Sequence, residues 1–147
     1  MVEEQGFRIP DVQKVVGISY RQLDYWARTG LVRPSIRDAG GSGTQRLYSF
    51  QDLVELRVIK KLLDAGVSLQ RIRKAIGFLR DHLKKSPHGV TLMSDGSSIY
   101  ACESPDEVMD LLQRGQGVFG IAVDKVWTDV EGSVKKTARA AARAGGA

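Results

Sequence analysis

No other stretch constrains this chain as tightly as GISYRQLDYWARTG, residues 17–30, because it marks both ends of one helix and the end of the helix before it. Ser19 can accept a hydrogen bond from an early backbone N–H while Gln22, three residues on, reaches back, the reciprocal capping box of a helix start. Gly30 supplies the stop, since glycine enters the left-handed conformation without a Cβ penalty. Upstream, Ile9-Pro10-Asp11-Val12-Gln13-Lys14-Val15-Val16-Gly17 predicts a short helix with proline near its first turn, glycine just past its end and Val12, Val15 and Val16 on one face. Two short helices around a glycine-containing turn outline a helix-turn-helix.

Helical periodicity divides the second helix. Leu23, Trp26 and Ala27 share its inner side, which Leu31 continues, while Tyr20, Arg21, Asp24, Tyr25 and Arg28 form an outward stripe. In a major groove, arginine can meet guanine or phosphate, and tyrosine can pack on sugar or a thymine methyl. The stripe alone is matched equally well by tyrosines packed on a neighbouring hairpin and arginines in solvent. The next segment of the chain favours the groove. Between Val32 and Ser49 helical periodicity vanishes, and a Gly/Ser cluster separates Ser35–Arg37 from Gln45–Tyr48, which predicts a β-hairpin with a long tip. A hairpin carrying Arg37 and Arg46 directly after a helix-turn-helix is placed as a wing against the phosphate backbone.

Charge points the same way. The 147 residues carry a net +5, yet residues 1–85 hold 16 basic against 9 acidic side chains while residues 86–147 hold 6 against 8. The basic half is the candidate for a polyanionic partner. With 42% apolar and 27% charged residues the composition is that of a soluble globular protein. There is no apolar run of about 18 residues, and the start lacks the basic-then-apolar pattern of an export signal. A cytoplasmic, nucleoid-associated protein with no membrane partner is expected. The single cysteine, Cys102, has no internal disulfide partner and reads as a small buried hydrophobe.

Ser49 and Asp52 cap a third helix with Leu53, Leu56, Ile59 or Lys60, and Leu63 at helical spacing, closed by Gly66. Ser68 caps a fourth, striped by Leu69, Ile72, Ile76, Leu79 and Leu83. A boundary is expected near Lys85–Gly89. Val90–Met93 and Ile99–Cys102 then read as strands around the turn signal Asp95-Gly96. Ser104-Pro105-Asp106-Glu107 opens a helix that Gly115 stops, and Val118–Val123 is an apolar run suited to a covered strand, followed by a helical start near Val126. The expectation is therefore an α+β chain: a winged helix-turn-helix domain over 1–85, a small ββαβ dimerisation or effector unit over 86–130, and a mobile basic, alanine-rich tail over 131–147.

Other chemistries find little support. His82, His88 and Cys102 lack the paired spacing of a metal site. Gly115-Gln116-Gly117-Val118-Phe119-Gly120 matches a dinucleotide fingerprint but follows a helix and enters a strand, the reverse of the binding order, and reads as a helix stop and tight turn. No carboxylate pair or nucleophile-base set commends catalysis, so neither an enzyme nor a cofactor is expected.

The segments FRIPDVQKVVGISYRQLDYWARTGLVRPSIR and QRLYSFQDLVELRVIKKLLDAGVSLQRIRKAI together resemble the DNA-binding domain of the MerR family of bacterial transcription regulators, over about residues 7–79. The resemblance implies a winged helix-turn-helix that binds a palindromic promoter site in double-stranded DNA as a homodimer and distorts the DNA so that RNA polymerase can engage. By position it places Ser19, Arg21, Tyr25 and Arg28 on the recognition helix and Arg37 and Arg46 on the wing. With the outward stripe, the expected DNA-binding set is Ser19, Tyr20, Arg21, Asp24, Tyr25, Arg28, Arg37 and Arg46. The chain departs from the family pattern in three places. Asp24 stands where members carry arginine, and an acid there would accept from a cytosine amino group or orient Arg21 or Arg28. Gln45 replaces the usual wing tyrosine. The helical pattern breaks at Ser86-Pro87, where family dimers continue into a long pairing helix, so self-association is expected of the ββαβ unit. Two alternatives stay open on sequence: an excisionase-like factor that bends DNA for recombination, and a module whose basic face meets an acidic protein.

Overall fold

The computed structural model describes residues 6–38, 45–85, 89–94, 98–113 and 119–145. The expected hairpin tip, the Asp95-Gly96 turn, the break at Ser86-Pro87 and the stops at Gly115 and Gly117 lie outside these residues. In chain order the elements are α1 (Ile9–Val16), α2 (Tyr20–Arg28), α3 (Phe50–Asp64), α4 (Leu69–Lys85), β1 (Thr91–Ser94), β2 (Ile99–Cys102), α5 (Pro105–Gln113), β3 (Phe119–Ala122) and α6 (Val123–Gly145). The chain groups into two compact units, one of residues 1–56 with 129–147, the other of residues 57–128. The expected boundary at 85–89 is thus corrected: α4 and the second part of α3 belong with the sheet.

In the first unit, α1 ends on Gly17 at φ 79°, a left-handed turn that costs an L side chain energy. Ser19 starts α2 with both arms of its capping box: the Gln22 N–H donates to Ser19 Oγ at 3.1 Å, and the Ser19 N–H donates to Gln22 Oε1 at 3.3 Å. The valines of α1 and Leu23, Trp26 and Ala27 of α2 are buried with Leu31 and Val32, as the helical period requires. After α2 the backbone pairs briefly. Leu47 exchanges hydrogen bonds with Arg37, and Tyr48 exchanges them with Phe7, so residues 45–48 are bridged on both sides. Ser49 and Asp52 then form a reciprocal cap on α3, Asp52 N–H to Ser49 Oγ at 3.1 Å and Ser49 N–H to Asp52 Oδ2 at 2.9 Å. The same carboxylate oxygen accepts from the Ser35 N–H and hydroxyl, both at 2.8 Å, which fastens the start of the bridged segment to the helix.

Helix α3 buries more of its circumference than a single stripe would. Leu53, Val54, Leu56, Val58, Ile59 and Leu62 are all enclosed, and Leu62 takes the inward position expected of Leu63. In the second unit, Ile72, Ile76, Leu79 and Leu83 give α4 its buried stripe. The described sheet has the order β2-β1-β3 and is antiparallel throughout, with Leu92 opposite Ala101 on one side and Ile121 on the other. Central β1 buries Leu92, Met93 and Ser94. Gly120 sits in β3 opposite Met93, where a Cβ would lie 2.8 Å from the Met93 sulfur, so this glycine is kept small by a close approach rather than by a turn. Ser104 Oγ caps α5 through the Glu107 N–H at 3.2 Å, while the Glu107 carboxylate accepts from the Glu103 N–H instead of closing the box on Ser104.

The C-terminal expectation is corrected. A single helix, α6, begins at Val123 and continues to Gly145, through the segment expected to be a separate tail from residue 131. Its start is set early because the Asp124 carboxylate accepts from the Gly89 N–H at 3.0 Å and the Val123 N–H bonds the Val90 carbonyl. The alanines and arginines beyond residue 137 are strong helix formers, so no local signal ends the helix before its glycines.

Candidate nucleic-acid interface

The capping box fixes where α2 starts, and therefore which of its side chains point outward. Ser19 itself is committed to that cap. Tyr20 and Tyr25 are 55% and 48% exposed, an unusual amount of aromatic surface for a helix whose opposite side is fully buried. Arg21 and Arg28 are exposed beside them.

Asp24, in the middle of this face, is engaged on both oxygens. Arg28 Nε donates to Oδ2 at 2.9 Å across one helical turn, and Arg46 Nη1 donates to Oδ1 at 2.8 Å from the bridged segment. The bond from Arg46 and then those from Arg28 hold the Asp24 carboxyl below the ordinary carboxylate range, against partial burial that pushes the other way. Of the two arginines that the acid was expected to orient, the geometry selects Arg28.

Arg46 departs from its expected role as an outward phosphate contact. Its side chain is only 11% exposed, its guanidinium is spent on Asp24, and its Nε is buried without a hydrogen-bond partner, the Asp38 carboxylate standing 3.6 Å away. It is a cross-brace between the bridged segment and α2 rather than a free cation. Arg37 keeps the expected exposure, and its Nε donates to the Gln45 carbonyl at 3.0 Å. Beneath the bridge, Tyr48 is completely buried with its hydroxyl unpartnered, and burial pushes the phenol far above its usual range.

Tyr20, Asp24 and Arg46 line one groove of about 720 Å³ together with Arg8, Ile9, Pro10, Gln13 and Gln45. Arg8, which precedes α1 as its N-cap residue, and Gln13 on α1 were missed in the sequence because the outward positions there carry no aromatic or basic run. Their relevance comes from the folding of α1 beside α2. Cys102 is buried, and burial, with Glu107 adding, pushes its thiol up. Among the described residues there is no group of three or more His, Cys, Asp or Glu side chains able to hold a metal ion, and no helix long and apolar enough to cross a membrane.

Comparison with known proteins agrees with the geometry. Residues 7–78 match the model of the MerR helix-turn-helix family of regulatory proteins. An uncharacterized HTH-type transcriptional regulator of Mycobacterium tuberculosis is 54% identical over 129 residues, 88% of this chain and 57% of the relative, so the chain spans little more than half the length of that protein. A probable heavy metal-dependent transcriptional regulator of Haemophilus influenzae is 30% identical over 108 residues, covering 74% of this chain and 81% of the relative. The HTH-type transcriptional regulator HmrR of Sinorhizobium medicae is 31% identical over 78 residues, 53% of this chain and 51% of its own. The helix-turn-helix, its exposed aromatic and basic face and these matches lead to one conclusion: the chain belongs to the MerR family of bacterial DNA-binding transcription regulators.

Proposed function

We propose that this chain binds a palindromic promoter site as a homodimer, with α2 in the major groove and the bridged segment as a wing on the flanking phosphates, and that it distorts the DNA so that RNA polymerase engages the promoter in the cell's nucleoid. The observation that carries the reading is the outward face of α2, where Tyr20, Arg21, Tyr25 and Arg28 stand exposed on a helix fixed by its cap and buried side. In this arrangement Arg21 and Tyr25 read base edges and Arg28 is presented by Asp24. Arg37 and Arg8 meet phosphate, and Arg46 acts indirectly by holding the wing to the recognition helix. Self-association falls to the sheet unit, where, among the described residues, β2 and β3 are the outer strands and offer edges for pairing.

Fluorescence anisotropy on promoter fragments, repeated over a range of salt, tests the reading. Arg37→Ala weakens binding to all sequences and flattens the salt dependence by about one phosphate contact, whereas Arg21→Ala and Tyr25→Ala shift preference among sites. Binding indifferent to all three substitutions, or light scattering that finds only monomer at the concentrations that saturate DNA, would overturn it. Genome-wide occupancy separates promoter regulation from an architectural role: peaks centred on promoters support the proposal, and peaks at mobile-element ends contradict it.

A further inference from the structure

Helix α4 buries one face through Ile72, Ile76, Leu79 and Leu83 and turns another outward. On the outward side the helical period gathers positions 70, 74, 77, 78 and 81 within about 100° of arc. Gln70, Lys74, Gly77, Phe78 and Asp81 are all exposed there.

Two residues of this stripe are out of keeping with a solvated helix surface. Phe78 is 41% exposed, and its ring is stacked on His82 with centroids 6.1 Å apart, so an ordered aromatic surface faces outward. Gly77 stands inside the 17-residue helix, where glycine is a poorer helix former than alanine. A Cβ at this position would have nothing within 4 Å, so packing within the chain does not call for a glycine. Neither does the backbone, because the positive-φ glycines are at positions 17, 30, 66 and 89. A bare backbone position beside an outward ring suits the close approach of a second helix.

The charges on the stripe select that helix. Lys74 and Asp81 are seven residues apart, about 10 Å along the axis, which is too far for them to pair with each other. They also stand equally far from the midpoint of Gly77 and Phe78. An antiparallel copy of α4, related by a two-fold axis at that midpoint, therefore sets Lys74 of each protomer opposite Asp81 of the partner subunit, so the contact is made twice. The same register brings the two Phe78 rings to the axis and lets the backbones approach at the two glycines. A parallel copy would instead set lysine against lysine and aspartate against aspartate.

We infer that α4 is a self-complementary docking surface for a second copy of this chain, packed antiparallel about a two-fold axis at Gly77 and Phe78. The inference rests on the self-association proposed above and gives it a helical surface in the same unit.

Sedimentation velocity of the full chain at low salt, over a range of protein concentrations, tests this by charge exchange. Lys74→Asp sets acid against acid at both contacts, and Asp81→Lys sets cation against cation, so each variant alone should dimerise about tenfold more weakly than wild type. In an equal mixture of the two variants every contact is again between opposite charges. The mixture should recover the wild-type affinity in a dimer holding one chain of each kind. Gly77→Leu, at a position with room in the folded chain, should weaken dimerisation while the helical circular dichroism stays that of wild type. Single reversals that dimerise as tightly as wild type, a mixture no tighter than its components, or a Gly77→Leu dimer of undiminished affinity would each overturn the inference and leave the proposed homodimer standing. A wild-type chain that stays monomeric at every concentration would overturn both.

Discussion

Two aspartates hold the bridged segment to the helices, and they do so by opposite physics. Asp52 is buried and accepts from neutral dipoles, the N–H and hydroxyl of Ser35 and the N–H of Ser49. Asp24 is partly open to solvent and accepts from two guanidinium groups, Arg28 and Arg46. The first anchor is made of hydrogen bonds from neutral donors to a buried carboxylate, so it stabilises the fold and responds little to salt. The second is made of full charges near water, so it adds little to stability and is screened by ions, but it decides where cations stand on the face proposed to meet DNA. One anchor is scaffold; the other is an adjustable part of the proposed recognition surface.

Removing the buried anchor should have the largest effect. Asp52→Ala strands the Ser35 and Ser49 donors and removes the α3 cap, for a loss of about 3 kcal/mol in urea unfolding that does not change with added salt. A cost below about 1 kcal/mol would erase the distinction. Ser35→Ala keeps the backbone bond to Asp52 but loses the hydroxyl bonds to Asp52 and Ser49, and should cost about 1 kcal/mol by the same measurement. Asp24→Asn should move binding more than folding: with one anionic charge gone and Arg28 and Arg46 released, affinity for non-cognate DNA at low salt rises about threefold or more in anisotropy titrations, and the gain vanishes at high salt. The smallest effect is in pH. Because the folded-state pKa of Asp24 is depressed, its contribution is complete above the unfolded value of 3.8 and lost as pH falls through the folded value. The small stability difference between wild type and Asp24→Asn is therefore expected at pH 7 and absent well below pH 3.8; a difference that persists in acid would show that Asp24 acts by shape, not charge.

The legibility of each feature in the sequence tracks the range of the interactions behind it. The caps at Ser19, Ser49, Ser68 and Ser104 were legible because donor and acceptor lie three residues apart. So were the buried stripes of α1, α2 and α4, which need only the helical period. The bond from Arg46 to Asp24 spans 22 residues and that from Ser35 to Asp52 spans 17, and no local pattern announces either. Hence Asp24 stood out in the sequence as an acid on a basic face, while the partner that explains it, Arg46, was read as a free phosphate contact. The C-terminal helix was misjudged for a related reason: alanine-rich sequence states a propensity but not the Asp124 and Val90 contacts that set where α6 begins.

The placement of the tryptophans has an optical consequence. Of the two in the chain, Trp26 is 3% exposed on the buried side of the proposed recognition helix, in the unit of residues 1–56 and 129–147, while Trp127 is half-buried in the unit of residues 57–128. Each unit thus carries its own chromophore, and the two differ in their access to a soluble quencher. Acrylamide should reach Trp127 first and leave a blue-shifted residual emission from Trp26, so a single unlabelled sample can report in two colours whether the units melt together or in turn.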